Sequence, residues 1–324
     1  MPEPLLTAHA VKKYFLAKKN MQPEKRLYLR AVDGVDLTVY PGETLGLVGE
    51  SGCGKSTLGR CLLRLYDLTE GEIVYQGDHL ETLTEGKLRP YRQQMQMIFQ
   101  DPYSALNPRM TIFQSVRAPL DTFRLYSKAE RDERVESLLS YVGLRADQIH
   151  KYPHEMSGGQ RQRAVIARAM ILDPNFVVCD EPVSALDASV RSQVLNLMKR
   201  IQREKALSYL FISHDLSVVR FLCDRVAVMY LGKIVELGTR EQIFNSPAHP
   251  YTRALLSAIP VPDTRVKTSR ILLEGDVPSP LAPPSGCRFH TRCPHATEAC
   301  AQVEPALGEL EPGHSVACLR VGEL

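Results

Sequence analysis

Apolar positions along the chain fall into short runs whose internal spacing changes from segment to segment. Residues 6–11 and 31–39 alternate apolar with polar side chains, which predicts an antiparallel strand layer within residues 1–48. Thr44-Leu45-Gly46-Leu47-Val48 is a compact apolar run and predicts a buried strand. After it, Leu58, Cys61, Leu62 and Leu65 recur at helical spacing. Further strands are predicted over residues 71–75, 95–99, 176–179 and 209–212. Residues 104–155 change character and read as helical, with Val135, Leu138, Leu139 and Val142 forming an i, i+3, i+4, i+7 stripe and the charges of 130–136 on the solvated face. Two more helices follow, one with Val165, Ile166 and Ala169 inward, the other with Val190, Val194, Leu197 and Ile201. Strands alternating with helices define an α/β fold with an antiparallel layer and an inserted helical part.

Composition narrows the class. At 324 residues, 44% hydrophobic and 24% charged, the chain suits one large domain and a smaller one. A formal charge of +3 is too small to argue for a nucleic-acid partner, and the basic stretch 18–26 reads as a solvated loop. No apolar stretch is long enough for a bilayer and the N-terminus lacks a signal-peptide core, so the expected compartment is the cytosol, with any membrane role supplied by a partner. Proline and glycine crowd residues 259–286, predicting an extended linker. Of eight cysteines, Cys53, Cys61, Cys179 and Cys223 are scattered, whereas Cys287, Cys293, Cys300 and Cys318 cluster near the end. A reducing compartment favours buried thiols in the first set and a metal site in the second.

The candidate chemistry centres on Gly49-Glu50-Ser51-Gly52-Cys53-Gly54-Lys55-Ser56-Thr57, which fits the phosphate-loop pattern G-x-x-x-x-G-K-S/T between a predicted strand and a predicted helix. Glycines let the backbone wrap an anion, and the following helix adds the positive end of its dipole. Lys55 can reach the outer phosphates of a nucleotide such as ATP, and the Ser56 hydroxyl can ligate Mg2+. Cys53, inside this loop, makes thiol alkylation an expected route to inhibition. Tyr14 can stack on adenine or belong to the core. Gln100, at a strand end, can ligate a metal, orient water or cap a turn. Ser157-Gly158-Gly159-Gln160 opens a helix and is either a second phosphate-receiving N-terminus or an ordinary cap. Asp180 and Glu181 end an apolar strand, where one carboxylate can hold Mg2+ and the other act as general base. Ser184-Ala185-Leu186-Asp187 follows, and His214 closes a later strand.

In that order these motifs resemble the nucleotide-binding subunit of an ATP-binding cassette (ABC) transporter, over about residues 5–250. The resemblance implies that Tyr14 stacks on adenine, and that residues 49–57 hold the phosphates with Ser56, Gln100 and Asp180 on Mg2+. Lys55, Gln100, Glu181 and His214 are then catalytic: Glu181 activates water, His214 contacts the γ-phosphate, and Gln100 also senses the pore subunits. Ser157, Gly158, Gly159, Gln160 and Asp187 are implied to meet ATP held by an opposite subunit. Met156 stands where the family more often has leucine. Residues 246–256 and 277–287 are similar to the tail of dipeptide and oligopeptide importers, nearest to the second ATPase subunit of bacterial dipeptide permeases. Nickel and glutathione importers share much of that tail and are the alternative; a soluble non-transport cassette ATPase is the more distant one. The implied organisation is an ATP-binding domain over 1–250, with a helical subdomain at about 104–160, and a transporter-specific extension over 251–324. The implied setting is the cytoplasmic face of a bacterial inner membrane. The implied partners are two permease subunits, a companion ATPase rather than a second copy, and an extracytoplasmic peptide-binding protein.

The four late cysteines are separated by five, six and seventeen residues, wider than the C-x2-C pairs of structural zinc, although His290, His295 and His314 lie among them. The resemblance implies a 4Fe–4S cluster on Cys287, Cys293, Cys300 and Cys318, with Zn2+ or unligated thiols as the alternatives. A metal staple would order a small cysteine-rich segment that is poor in apolar residues.

Overall fold

The computed structural model describes residues 3–18, 27–259 and 270–323. The basic stretch 18–26 lies outside them apart from the backbone of residue 18, as do residues 260–269 of the linker. In chain order, β1 (Leu6–Lys18), β2 (Leu27–Val39) and β3 (Thr44–Val48) lead to α1 (Lys55–Leu62), β4 (Glu70–Tyr75) and β5 (Asp78–His79). The turns α2 (Glu85–Leu88) and α3 (Tyr91–Gln94) precede β6 (Met95–Ile98), α4 (Pro102–Ala105), α5 (Ile112–Phe123), α6 (Lys128–Tyr141) and α7 (Gly158–Met170). Next come β7 (Phe176–Asp180), α8 (Ala188–Lys205), β8 (Ser208–Ile212), α9 (Leu216–Leu222), β9 (Arg225–Tyr230) and β10 (Lys233–Thr239). The chain ends through α10 (Arg240–Asn245), α11 (Pro250–Ser257), α12 (Glu298–Gln302), β11 (Gly308–Glu311) and β12 (His314–Val316). It divides into two compact units, Met1–Thr82 with Ile212–Leu324, and Leu83–Phe211.

In the first unit the expected antiparallel layer is present, with strands ordered β2-β1-β4-β5. Alternation along β2 buries Val35, Leu37 and Val39, while Ala31, Val32 and Asp33 are buried in succession. A second set of strands runs β11-β12-β10-β9-β3, with β3 parallel to β9 and β9 antiparallel to β10. Every residue of β3 is buried, as a continuous apolar run requires of a parallel strand. The helix after the glycine loop stops at Leu62, short of the predicted Leu65. Arg64 turns left-handed (φ +52°) and the Leu65 N–H donates to the Arg60 carbonyl at 2.9 Å, leaving Leu65 exposed.

The C-terminal segment joins this unit through strand addition. β12 pairs antiparallel with β10, Glu236 opposite Val316 and Leu237 opposite Ser315. Glu236 is fully buried, and its carboxylate accepts the N–H groups of Ala248 (2.8 Å) and His249 (2.9 Å) and bonds His314 Nε2 (2.8 Å). A buried charge is tolerated only when so compensated. Phe289 packs on Tyr230, Tyr251 and His249 with ring centroids 5.3, 5.4 and 5.7 Å away. The described part of the linker, 270–286, forms neither helix nor strand; Arg30 of β2 donates its N–H to Pro280 O at 3.1 Å.

In the second unit the strand order is β8-β7-β6, with β6 parallel to β7. The predicted helical segment is present in part, as α4 to α6; residues 142–152 form no helix. Capping boxes start α5 (Thr111 with Gln114), α6 (Ser127 with Glu130) and α7 (Ser157 with Gln160). The stretch read as a solvated face is partly engaged, since Arg131 bonds Asp121 and Asp132 bonds Arg117, each at 2.8 Å. Helices α7 and α8 approach closely at Gly159, where a Cβ would come within 2.3 Å of Val190 Cγ1.

His249 caps α11 with Nδ1 accepting the Tyr251 N–H (3.1 Å), and burial pushes its pKa down to about 3. The folded chain therefore keeps this ring neutral, while the unfolded chain protonates it below its ordinary value near 6.5. Stability contributed by the neutral ring is complete above that value and is lost as pH falls toward 3. Urea unfolding at pH 7 and pH 5 should show a loss of about 2 kcal/mol at the lower pH, and His249→Asn, which can still cap the helix, should remove that part of the pH dependence.

Candidate functional site

The glycine loop is shaped by backbone neighbours. Gly49 (φ +151°) lies where a Cβ would meet Met229 O at 2.1 Å, and Gly54 (φ +110°) where one would meet Ala31 O at 2.0 Å. Gly232 donates its N–H to Cys53 O (2.8 Å) from the β9–β10 turn, in which Leu231 and Gly232 both have positive φ, as a two-residue type I′ hairpin requires. Gly54 caps α1 without a side chain, and no acidic residue occupies the first turn of that helix, so no carboxylate of that turn offsets its dipole. Lys55 is buried, its Nζ donating to Gly49 O (2.7 Å) and Glu50 O (2.9 Å). Glycines, an uncapped N-terminus and a retracted lysine form an anion cradle, to which the half-buried Ser56 adds a hydroxyl.

Cys53 departs from the expected reactivity. Its thiol is only 4% exposed and burial raises its pKa despite the neighbouring Lys55, so the neutral, shielded form dominates.

The same unit holds Tyr14 and His214. Tyr14 is half-buried and its hydroxyl donates to Asp33, which also receives Arg288. Burial alone would raise the Asp33 carboxyl, but Tyr14 and Arg288 outweigh it and hold it below its ordinary value. His214 is exposed on a tight turn. Ser213 before it donates its N–H to Leu47 O of β3 (3.2 Å), and Asp215 after it caps α9 through the N–H groups of Ser217 and Val218.

The second unit holds the other candidates. Asp180 ends β7 almost fully buried. Glu181 follows in a left-handed conformation (φ +48°), which costs a non-glycine residue roughly 1–3 kcal/mol and is typical of functional turns. Gln100, beyond β6, donates Nε2–H to Glu181 Oε2 at 3.0 Å. The sequence places these residues 81 positions apart, and the parallel pairing of β6 with β7 brings them together. Ser157 is exposed and Gly159 lies against α8, whose N-cap is Asp187. The Val190 N–H and the Ser189 hydroxyl bond Asp187, with the Val190 N–H the main cause of its lowered pKa.

The cysteine tail requires a correction. Among the described residues, no group of three or more His, Cys, Asp or Glu side chains is disposed to hold a metal ion. Cys287, Cys293, Cys300 and Cys318 border one small cavity. All four are free thiols. Burial pushes Cys287 up to about 11 and raises Cys293 and Cys318. Of the histidines considered as zinc ligands, His314 bonds Glu236, whereas His290 and His295 border the same cavity, His290 with Nδ1 on Cys287 O (2.8 Å). The expected iron–sulfur cluster and its zinc alternative are not supported among the described residues.

A buried strand, a backbone-shaped glycine loop and a capped S-G-G-Q helix define a phosphate-loop nucleotide-binding cassette. Residues 32–184 match the family described as ABC transporter, and residues 235–300 match the oligopeptide/dipeptide transporter C-terminal region. The chain is 52% identical over 319 residues to the oligopeptide transport ATP-binding protein AppF of Bacillus subtilis, covering 98% of this chain and 97% of that one. It is also 52% identical to the oligopeptide transport ATP-binding protein OppF of Escherichia coli, with 94% and 91% coverage. A solved dimeric structure of a post-hydrolysis state of the ATP-binding cassette MJ0796, bound to ADP and Pi, matches with a TM-score of 0.64 at 27% identity, covering 72% of this chain and 98% of that one. The chain belongs to the oligopeptide-transport ATP-binding subunits of the ABC transporters.

Several residues at the loop carry no signal in the sequence. Arg292 forks onto the Glu50 carboxylate, Tyr251 accepts the Glu50 N–H, and Arg288 reaches both Asp33 and Leu231 O. An arginine in a cysteine-rich tail has no mark of its own; only the fold shows what it meets.

Iodoacetamide should modify Cys53 of the native full chain at least about tenfold more slowly than in urea, read by peptide mass mapping. Equal rates would show that the loop opens freely.

Proposed function

We propose that this chain binds MgATP at its phosphate loop, hydrolyses it, and so powers peptide import through membrane-embedded permease subunits. One observation carries the reading: the buried Asp180 is followed by Glu181, whose carboxylate is oriented by the Gln100 amide at 3.0 Å. In this reading the loop N–H groups and the α1 dipole receive the phosphates, and Lys55 leaves the Gly49 and Glu50 carbonyls to reach them. Ser56, Gln100 and Asp180 would hold Mg2+, to which hydroxyl, amide and carboxylate oxygens are suited, and the ion would offset phosphate charge. Glu181 takes the proton of the attacking water as its oxygen bonds the γ-phosphorus and the bond to the β-phosphate oxygen breaks, giving ADP and phosphate. His214, on its exposed turn, donates to the γ-phosphate, and Tyr14 stacks on adenine.

The helix N-terminus at Ser157 to Gln160, opened by the exposed Ser157 and with Asp187 beside it, serves ATP held by an opposing cassette. We assign that role to a companion ATPase rather than a second copy. Two permease subunits and an extracytoplasmic peptide-binding protein complete the assembly, which sets this chain at the cytoplasmic face of a bacterial membrane. Among the described residues no helix is long and apolar enough to cross a membrane. We further assign residues 1–250 to the ATP-binding domain, with its helical part at about 104–160, and residues 251–324 to a transporter-specific extension. Within peptide importers, dipeptide permeases are the nearer match of the sequence motifs.

Glu181→Gln should lower ATP turnover at least about 100-fold while leaving MgATP affinity within a few fold, measured by phosphate release and calorimetric titration. Retained turnover would remove Glu181 from the role of base. In vesicles carrying the whole transporter, ATP-dependent uptake should follow labelled di- and oligopeptides; uptake of nickel or glutathione instead would reassign the cargo.

A further inference from the structure

Glu50, the residue after the first glycine of the loop, is held on every polar group it has. Its N–H donates to Tyr251 Oη (2.8 Å). Its carbonyl receives Lys55 Nζ (2.9 Å) and the Cys53 N–H (3.3 Å). Both carboxylate oxygens are taken by Arg292, with Nη1 to Oε2 at 2.8 Å and Nη2 to Oε1 at 3.1 Å. This fork-to-fork geometry is the stronger and more directional form of ion pair. The Arg292 side chain is 8% exposed and that of Glu50 26%, so the pair is partly shielded from solvent. Arg292 is itself fixed: Nη1 also reaches Tyr230 Oη at 3.4 Å, and Tyr230 packs on Tyr251 with ring centroids 4.7 Å apart. Two residues far along the chain, Tyr251 and Arg292, thus hold one residue of the phosphate loop.

We propose that Arg292 is a positioning residue for the phosphate loop, holding Glu50 in place and cancelling its charge so that the loop can accept a polyphosphate. A bare carboxylate there would oppose the incoming anion and would be available to pair with Lys55, the group needed for the phosphates. The effect falls on nucleotide affinity, because Arg292 touches neither the reacting atoms nor the base. The inference rests on Gly49 to Thr57 being the ATP-binding loop, as set out above.

The test is calorimetric titration of MgATP into the full chain, alongside steady-state hydrolysis. Arg292→Met should weaken MgATP binding about tenfold and raise KM equally, with kcat within about twofold of the parent. Arg292→Lys, which keeps the charge and loses the fork, should weaken it about threefold and also serves if Arg292→Met fails to fold. Adding Glu50→Gln to Arg292→Met should restore affinity to within about threefold of the parent, a rescue that a merely structural arginine would not show. If Arg292→Met folds, a Kd within twofold of the parent, a loss that Glu50→Gln does not relieve, or a fall in kcat at unchanged KM would each overturn the proposal. If it does not fold, parent-like affinity in Arg292→Lys would overturn it. Lys55→Ala separates the two levels: it should abolish binding, and if it binds like the parent, the loop assignment itself fails.

Discussion

The phosphate loop exists because backbones approach it more closely than any side chain would permit. Gly49 sits against Met229 O of β9, Gly54 against Ala31 O of β2, and the Gly232 N–H binds Cys53 O. Asp33 of β2 in turn donates its N–H to Gly232 O at 2.9 Å, so strand, hairpin and loop close on one another. Such contacts leave little room for drift, since main-chain atoms cannot change rotamer to relieve a clash. The loop's residues can therefore be few and its side chains small.

The same economy explains the C-terminal segment. A small stretch with few apolar residues suggests a metal staple, and four cysteines supply an obvious one on paper. The segment is ordered by other means: strand addition to β10, the Glu236 junction, the Phe289 aromatic contacts, and the Arg288–Asp33 and Arg292–Glu50 pairs. A buried ion pair adds little net stability by itself, but losing one partner leaves a charge that water cannot reach. These contacts fix where the segment lies more than how tightly it is held.

What could be read from the sequence was local. Apolar runs located β3, β6, β7 and β8, and helical stripes located α6, α7 and α8, because burial on a regular backbone imposes a period. The glycine loop was legible because its glycines answer steric demands inside a short window. Leu65 misled because helical spacing persists past the point where Arg64 turns the backbone. The cysteines misled for a different reason: spacing along the chain does not report how their side chains are disposed in three dimensions. Arg292 was invisible because its partner lies 242 positions earlier, and no periodicity spans that distance. Gln100 and Glu181 were each noticed, but their hydrogen bond follows only from the β6–β7 register.

The Glu236 junction also bears on how the chain is made. Its carboxylate waits on His314, 78 positions further along the chain, and the open side of β10 waits on β12. Until they arrive, a nascent chain carries a half-compensated charge inside the fold and an unpaired strand edge on which other chains can build. A product truncated before residue 314 would keep every nucleotide-site motif yet present a sticky, incompletely neutralised surface. Loss of residues 314–316 is thus expected to send the chain toward aggregation or proteolysis rather than to leave a shortened working subunit.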